Sequence, residues 1–139
     1  MRTPIVLALG LAVTAGLRGQ DGAKELEKLK GTWVIVKAER GGKPTDEPKG
    51  DKITFDGEKI AVTENQRPQT GRVKIDPTKT PKKIDLTPDE NGEGTVFGIY
   101  ELSGDTLKIC IGRRERPKAF ATKEGATDFL LFFEREKKK

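Results

Sequence analysis

Apolar and polar residues alternate along most of this chain in about eight short runs, each bounded by glycine, proline, aspartate or asparagine. In the run at residues 51–56, Ile53 and Phe55 share one face while Lys52 and Thr54 share the other. A period of two residues is typical of a β-strand with one face on a core and one in water. The pattern therefore predicts an all-β protein. The first run begins at residue 31, and the later ones cover residues 59–64, 71–76, 82–87, 94–102, 105–111 and 127–134.

The connections between these runs are short and indicate an antiparallel meander. Asp56-Gly57 and Ser103-Gly104-Asp105 are typical of tight hairpin turns, and no long amphipathic helix separates neighbouring runs. The last run, FLLFF at residues 129–133, is apolar on both faces, which indicates a strand covered outside as well as inside. We expect an up-and-down barrel closed by pairing of the first and last strands, with a two-layer sandwich as the alternative.

The N-terminal segment predicts export. Arg2 is followed by an apolar stretch at residues 5–17 and then by small residues, as in a secretory signal peptide. The stretch falls below the roughly 18 to 20 residues of a membrane-spanning helix, so we expect no transmembrane segment in the mature protein. An uncleaved anchor is the alternative. The predicted organisation is a signal peptide at 1–19, a helical lead-in at 20–30, a barrel domain at 31–136 and a disordered basic tail at 137–139.

The helical lead-in carries Leu26 and Leu29, three residues apart among lysine and glutamate. A helix this short is unstable alone and must place its leucines on another surface. In a closed barrel the usual place is over one open end.

Charge and cysteine content limit the kinds of partner that we expect for this protein. The chain has 27 basic and 22 acidic residues; Arg2 and Arg18 belong to the predicted signal peptide, so the mature net charge is +3. Because the signs are interspersed, we expect no nucleic-acid partner. The basic clusters at 113–118 and 135–139 are interpreted as a solvated loop and a frayed terminus. One cysteine, Cys110, excludes an intramolecular disulfide, and we interpret it as a packed side chain of a monomeric protein.

The residue inventory gives little support for catalysis. The chain has no histidine, and Ser103 is its only serine. The commonest general base, the commonest zinc ligand and a base to activate the serine are therefore absent. Asp89, Glu90 and Glu93 lack the spacing of a calcium loop. We expect no catalytic residue, metal or cofactor, although a pair of carboxylates that meet only in space stays open.

Several motifs resemble known proteins. Gly31-Thr32-Trp33 resembles the opening motif of lipocalins, in which the tryptophan plugs the closed end of the barrel and a late arginine packs across it; Arg135 is the matching residue. A longer set resembles an uncharacterised lipocalin-like domain family that is abundant in planctomycete bacteria: GDKITFDG at 50–57, DPTKTPKKIDL at 76–86, GIYELSGDTLKIC at 98–110 and ERP at 115–117. The resemblance implies a fold and an exported module. It implies no activity, so no catalytic residue is carried over.

These observations favour a small binding module in the periplasm, the cell envelope or the extracellular space. We expect an apolar or amphipathic molecule in the barrel mouth. The candidate ligand-binding residues are Phe55, Phe97, Ile99, Tyr100 and Ile109, and the candidate barrel plug is Trp33 with Arg135. The alternative is a filled barrel that acts as a structural module or binds an envelope protein. The bulk of the inward-facing side chains decides between them.

Overall fold

The structure is a computed structural model that describes residues 22–64, 67–89, 94–112, 114–125 and 128–136. One helix, α1, spans residues 22–29. Nine strands follow in the described ranges: β1 (Gly31–Arg40), β2 (Lys43–Pro44), β3 (Lys52–Asp56), β4 (Lys59–Glu64), β5 (Arg67–Asp76), β6 (Lys82–Pro88), β7 (Val96–Ser103), β8 (Thr106–Gly112) and β9 (Phe129–Arg135). The predicted signal peptide and the tail at 137–139 lie outside the described residues.

Eight of the strands form one closed antiparallel barrel. Each strand from β3 to β9 pairs with its neighbour in sequence, and β1 pairs with both β3 and β9. Closure by the first and last strands confirms the prediction, and the sandwich alternative is wrong. The two-residue strand β2 adds to the far end of β1. Within the described ranges, no helix combines the length and the apolar character that a membrane span requires.

Strand β1 changes partners along its length. Its first half, from Gly31 to Val34, pairs with β3, whereas its second half pairs with β2 on that side. Its register against β9 shifts between Ile35 and Lys37. Such a shift marks a β-bulge, which increases the local twist and bends the strand. Val36 lies at this shift and is 42% exposed.

Alternate residues of the eight barrel strands point into the interior. Inward residues from facing strands form one continuous core that includes Leu29 of α1. Leu26 packs against the same core, so the expectation that the helical leucines cover the barrel is confirmed. The buried members of this core are Leu29, Trp33, Ile35, Ala38, Ile53, Phe55, Ile60, Val73, Ile84, Tyr100, Leu107, Ile109 and Phe133.

A second, smaller cluster lies outside the barrel, on β7, β8 and β9. Ile99, Cys110 and Leu130 are buried there, against Phe120 and Phe132. Phe120 belongs to the segment at 114–125, which therefore covers the outer face of the last strands. The apolar outer face of β9 is buried as its sequence predicted.

The basic loop before Phe120 is only partly solvated. The Arg116 guanidinium lies 2.6 Å from an Asp85 carboxylate oxygen and donates hydrogen bonds to the carbonyls of Ile84 and Gly98, at 3.3 and 2.8 Å. The interpretation of this loop as solvated is wrong for Arg116, because one side chain ties the segment to β6 and β7. Arg113, from the same cluster, lies outside the described residues.

The largest differences from the predicted strands are the start of β5 and the presence of β2, while the other predicted bounds lie within two residues of those observed. Strand β5 begins at Arg67 and not at residue 71, because its first four residues extend the hairpin with β4 as an exposed ladder. No apolar residue marks that extension. Strand β2 was not predicted at all, since two exposed residues carry no periodic pattern.

Candidate functional site

The barrel has one closed end, which is sealed by α1 and by the predicted plug. Trp33 is fully buried, and its indole Nε1 donates a hydrogen bond of 2.8 Å to the carbonyl of Leu29. The Arg135 guanidinium carbon lies 4.2 Å from the centre of the indole ring. The same guanidinium donates to the carbonyls of Lys28 and Lys30, at 2.9 and 2.7 Å. The last carbonyls of a helix lack partners within the helix, so the two plug residues join α1 to the barrel.

Gly31 makes room for this arrangement. Its φ of 121° lies in a region that side chains rarely adopt, and a Cβ there would stand 3.0 Å from Nη1 of Arg135. A larger residue at this position would displace the guanidinium. The glycine and the tryptophan of the Gly-x-Trp motif are therefore linked through Arg135.

A buried carboxylate forms a second connection at the closed end. Glu25 of α1 is 6% exposed and accepts hydrogen bonds from Nζ of Lys82, at 2.7 Å, and from the hydroxyl of Tyr100, at 2.9 Å. Burial raises the pKa of Glu25, but the hydrogen bonds from Lys82 and Tyr100 outweigh it, so the pKa is below its ordinary value. Burial, together with the Glu25 carboxylate, raises the pKa of Tyr100 above its ordinary value.

The other end of the barrel opens into a cavity of about 460 Å³. Its walls are mostly the aliphatic and aromatic side chains of inward positions, and Ile109, Leu131 and Phe133 lie along the side formed by the last strands. The apolar lining residues are Ile35, Pro48, Ile53, Ile60, Val62, Leu86, Pro88, Val96, Ile109, Ile111, Phe129, Leu131 and Phe133, with Gly71, Gly94 and Gly112.

Polar lining residues come from strand ends and the loops next to them. They are Asp51, Lys52, Gln69, Thr70, Thr87 and Thr95. Gln69 pairs directly with Val62 and so shares its inward face. The hydroxyls of Thr87 and Thr95 are hydrogen-bonded to each other at 3.0 Å. The Lys52 ammonium forms an ion pair with Glu136. The cavity therefore has apolar walls and a polar mouth.

Of the five candidate ligand residues, Ile109 alone lines the cavity. Phe55 is buried in the core near the closed end, where it pairs with Gly31. Tyr100 also lies at the closed end, as a packed side chain on Glu25, and its hydroxyl does not reach the cavity. Phe55 and Tyr100 therefore belong to the packing of the closed end, away from the cavity.

Phe97 and Ile99 face away from the cavity, on the outer side of β7. Ile99 lies in the outer cluster, and the guanidinium carbon of Arg116 lies 5.5 Å from the Phe97 ring centre. The run in β7 is apolar at both parities, with Val96, Phe97, Ile99 and Tyr100. A two-residue period cannot tell the faces of such a strand apart. The pairing of Ile84 with Gly98 shows that the even-numbered positions point inward.

Sequence reasoning missed Asp51 and Gln69 at the mouth and Glu25 at the closed end. Glu25 carried a weak signal, because it precedes Leu29 by four residues and so shares its helix face. Asp51 carried a weak signal as well, since it lies two residues before Ile53 in an alternating run. Gln69 carried none, because no apolar residue beside it marks a strand face.

The cysteine of the chain, Cys110, is buried. Burial raises the pKa of the Cys110 thiol, which donates a long hydrogen bond of 3.6 Å to the carbonyl of Ala121. A raised pKa disfavours the nucleophilic thiolate. Among the described ranges, no three side chains of histidine, cysteine, aspartate or glutamate are grouped so as to hold a metal ion. In the calcium-loop candidate, Glu90 and Glu93 lie outside those ranges.

No family model, curated protein or solved structure matches this chain. Membership of the planctomycete lipocalin-like family stays a prediction based on the motifs. The structure itself shows the architecture, which is a closed eight-stranded antiparallel barrel with a short helix before it.

Proposed function

We propose that this protein is an exported, non-enzymatic binding module that holds an apolar or amphipathic small molecule in the open end of its barrel. The observation that carries the proposal is the cavity of about 460 Å³, whose walls are mostly apolar. Pockets for small molecules commonly have volumes of about 300 to 1,000 Å³ and are lined mostly by apolar groups. At roughly 30 Å³ per water molecule, this space is far larger than a packing defect.

The division of the barrel into two ends supports the same proposal. At the closed end, the helix, the indole and the Glu25 cluster fill the interior with hydrogen-bonded side chains. Such a filled end gives the walls above it a rigid base. The export part rests on the signal-peptide pattern at residues 1–19, and the non-enzymatic part on the lack of histidine in the chain.

Native mass spectrometry of the protein purified from its source envelope tests ligand and export together. The proposal expects a chain that lacks residues 1–19 and carries an additional mass in the range of a lipid or a similar small molecule. A full-length chain contradicts cleavage of the signal peptide and favours the uncleaved anchor. A bare mature chain that also binds no apolar fluorophore contradicts ligand binding.

A cavity-filling variant tests the location of binding. Val62 lines the cavity, and its chain neighbour Ala61 is exposed on the outer face of β4. We expect Val62→Trp to weaken binding of the neutral fluorophore N-phenyl-1-naphthylamine at least tenfold, because the indole occupies the space of the ligand. Ala61→Trp adds the same group outside the barrel and is expected to leave binding unchanged. Equal binding by both variants, at matched melting temperatures, would place the fluorophore elsewhere.

A further inference from the structure

Asp51 is held firmly at the cavity mouth by its backbone. Its amide donates to the carbonyl of Pro48 at 3.1 Å, and its carbonyl accepts from the amide of Ile35 at 2.9 Å. Asp51 lies two residues before Ile53, which is 5% exposed and points into the core. Because side chains alternate along a strand, Asp51 belongs to the inward face. The residue is half-buried and lines the cavity.

The basic groups near this position are already engaged. Lys52 also lines the cavity, and its ammonium pairs with Glu136. The Lys49 ammonium lies 3.1 Å from an Asp46 carboxylate oxygen, and the Arg40 guanidinium lies 3.7 Å from a Glu47 carboxylate oxygen. Among the residues that the structure describes, no lysine or arginine forms a salt bridge with Asp51. The mouth therefore presents a carboxylate without a cationic partner in the described part of the chain.

A carboxylate accepts hydrogen bonds and donates none. It attracts an ammonium group or a hydroxyl and repels another carboxylate, most strongly where apolar walls exclude water. Gln69, on the inward face of β5, adds a neutral amide to the same mouth. The charge of the whole molecule works in the opposite direction, since a mature net charge of +3 attracts anions at long range. If the protein prefers a cationic ligand, that preference must therefore come from the Asp51 carboxylate and not from the net charge of the molecule.

We propose that the bound molecule is an amphiphile whose polar end is an amine or another hydrogen-bond donor, and that Asp51 receives this end while the apolar part lies along the barrel walls. This inference rests on the proposed function. The cavity mouth then selects ligands with a hydrogen-bond donor at the polar end and disfavours fatty acids and other carboxylates.

Three ligands with the same ten-carbon chain test the proposal: decylamine, decanol and decanoate. Each is titrated at pH 7 and about 0.15 M salt, below its aggregation concentration, as a competitor of N-phenyl-1-naphthylamine. We expect decylamine to bind about tenfold more tightly than decanoate, with decanol between them. A decanoate affinity equal to or above that of decylamine would overturn the inference.

Substitutions at the mouth assign the effect to Asp51. Asp51→Asn is expected to reduce the affinity for decylamine to that for decanol, and to leave decanol unchanged. Asp51→Glu keeps the charge and should retain the preference for the amine. Asp56→Asn, at the opposite end of β3, is the matched control, because Asp56 is exposed and far from the mouth. Retention of the amine preference by Asp51→Asn would contradict the role of Asp51.

The failure of this inference can be told from the failure of the proposed function. If Val62→Trp weakens fluorophore binding but no amine preference is found, the cavity binds ligands without selecting a donor group, and the inference is wrong. If the wild-type protein does not bind the fluorophore and none of the three ligands binds in direct calorimetry, the proposed function itself is wrong.

Discussion

At the residue scale, the closed end depends on contacts among three residues: Gly31, Trp33 and Arg135. Trp33 and Arg135 donate to successive carbonyls at the end of α1, while Gly31 leaves space for the guanidinium. The arginine also covers the indole face, where a cation is attracted by the ring electrons. The Gly-x-Trp motif therefore has a physical explanation in this molecule: it holds a helix onto the end of a barrel.

Removal of the indole tests that explanation. Trp33→Ala leaves a cavity in the core and removes a donor from Leu29, so we expect a loss of about 3 to 5 kcal/mol in the free energy of unfolding. Chemical denaturation followed by circular dichroism measures it. Val36→Ala is the control, because Val36 is exposed and should change stability by about 0.5 kcal/mol or less. An unchanged denaturation midpoint for Trp33→Ala would show that the indole does not seal the barrel.

Gly98 is a position where sequence and structure differ. A glycine within a strand suggests a bulge or space beneath the tryptophan. In the structure Gly98 pairs regularly with Ile84 and Ile111. A Cβ there would meet the carbonyl oxygen of Cys110 at 2.9 Å and the side chains of Ile111 and Ile84 at 3.1 and 3.2 Å. Because Gly98 has no side chain, Ile84 and Ile111 can pack closely on either side of it.

At the element scale, α1 is attached to the barrel by polar groups as well as by its leucines. Glu25 joins the helix to β6 and β7 through Lys82 and Tyr100. Its pKa is lowered in the folded state, below an ordinary value of 4.5. The ionised carboxylate therefore stabilises the fold above the ordinary pKa, and this contribution is lost as the pH falls through the folded-state pKa.

Glu25→Gln tests this attachment. An amide accepts hydrogen bonds more weakly than a carboxylate and cannot pair with the Lys82 ammonium, so we expect a loss of about 1 to 3 kcal/mol at pH 7. The difference from the wild-type protein should shrink as the pH falls below the ordinary pKa of Glu25 and through its lower folded-state pKa, because the wild-type carboxylate then becomes protonated. Melting temperatures measured from pH 3 to pH 7 give both quantities. Glu27→Gln is the control on the same helix, since Glu27 is exposed; matching curves for the two variants would rule out the attachment.

At the scale of the whole molecule, the helix, the plug and the barrel walls share one core, and the outer segment covers the strands that close the barrel. Closure by β1 and β9 joins the two ends of the chain, because Trp33 and Arg135 are paired across that seam. Small domains with a single core usually unfold in one step.

We therefore expect one cooperative transition that is reported equally by three signals: the far-ultraviolet circular dichroism of the strands, the fluorescence of Trp33, and thiol labelling of Cys110. The thiol is fully buried under the outer segment, and burial raises its pKa, so labelling requires opening of that layer. Thermal or denaturant titration with all three signals checks the prediction. Labelling well before the fluorescence change would show that the outer segment opens on its own.

Most of the fold could be predicted from the sequence because strands with one wet face carry a clear two-residue period. Ile53 and Phe55 in β3 share one face of an alternating run, and both are buried. The functional site could not be predicted to the same degree. Phe97 and Ile99 lie in a strand that is covered on both faces, and no local pattern shows which of its faces points into the barrel.

The sequence by itself determined the strand order, the hairpins, the closing pair and the plug, since these depend on local periodicity, turn residues and one short motif. Only the tertiary structure decided which apolar residues line a cavity, how large that cavity is, and which polar side chains stand at its mouth. Periodicity is a property of neighbours along the chain. A cavity and the charge at its mouth depend on barrel closure, which brings residues from distant parts of the chain together.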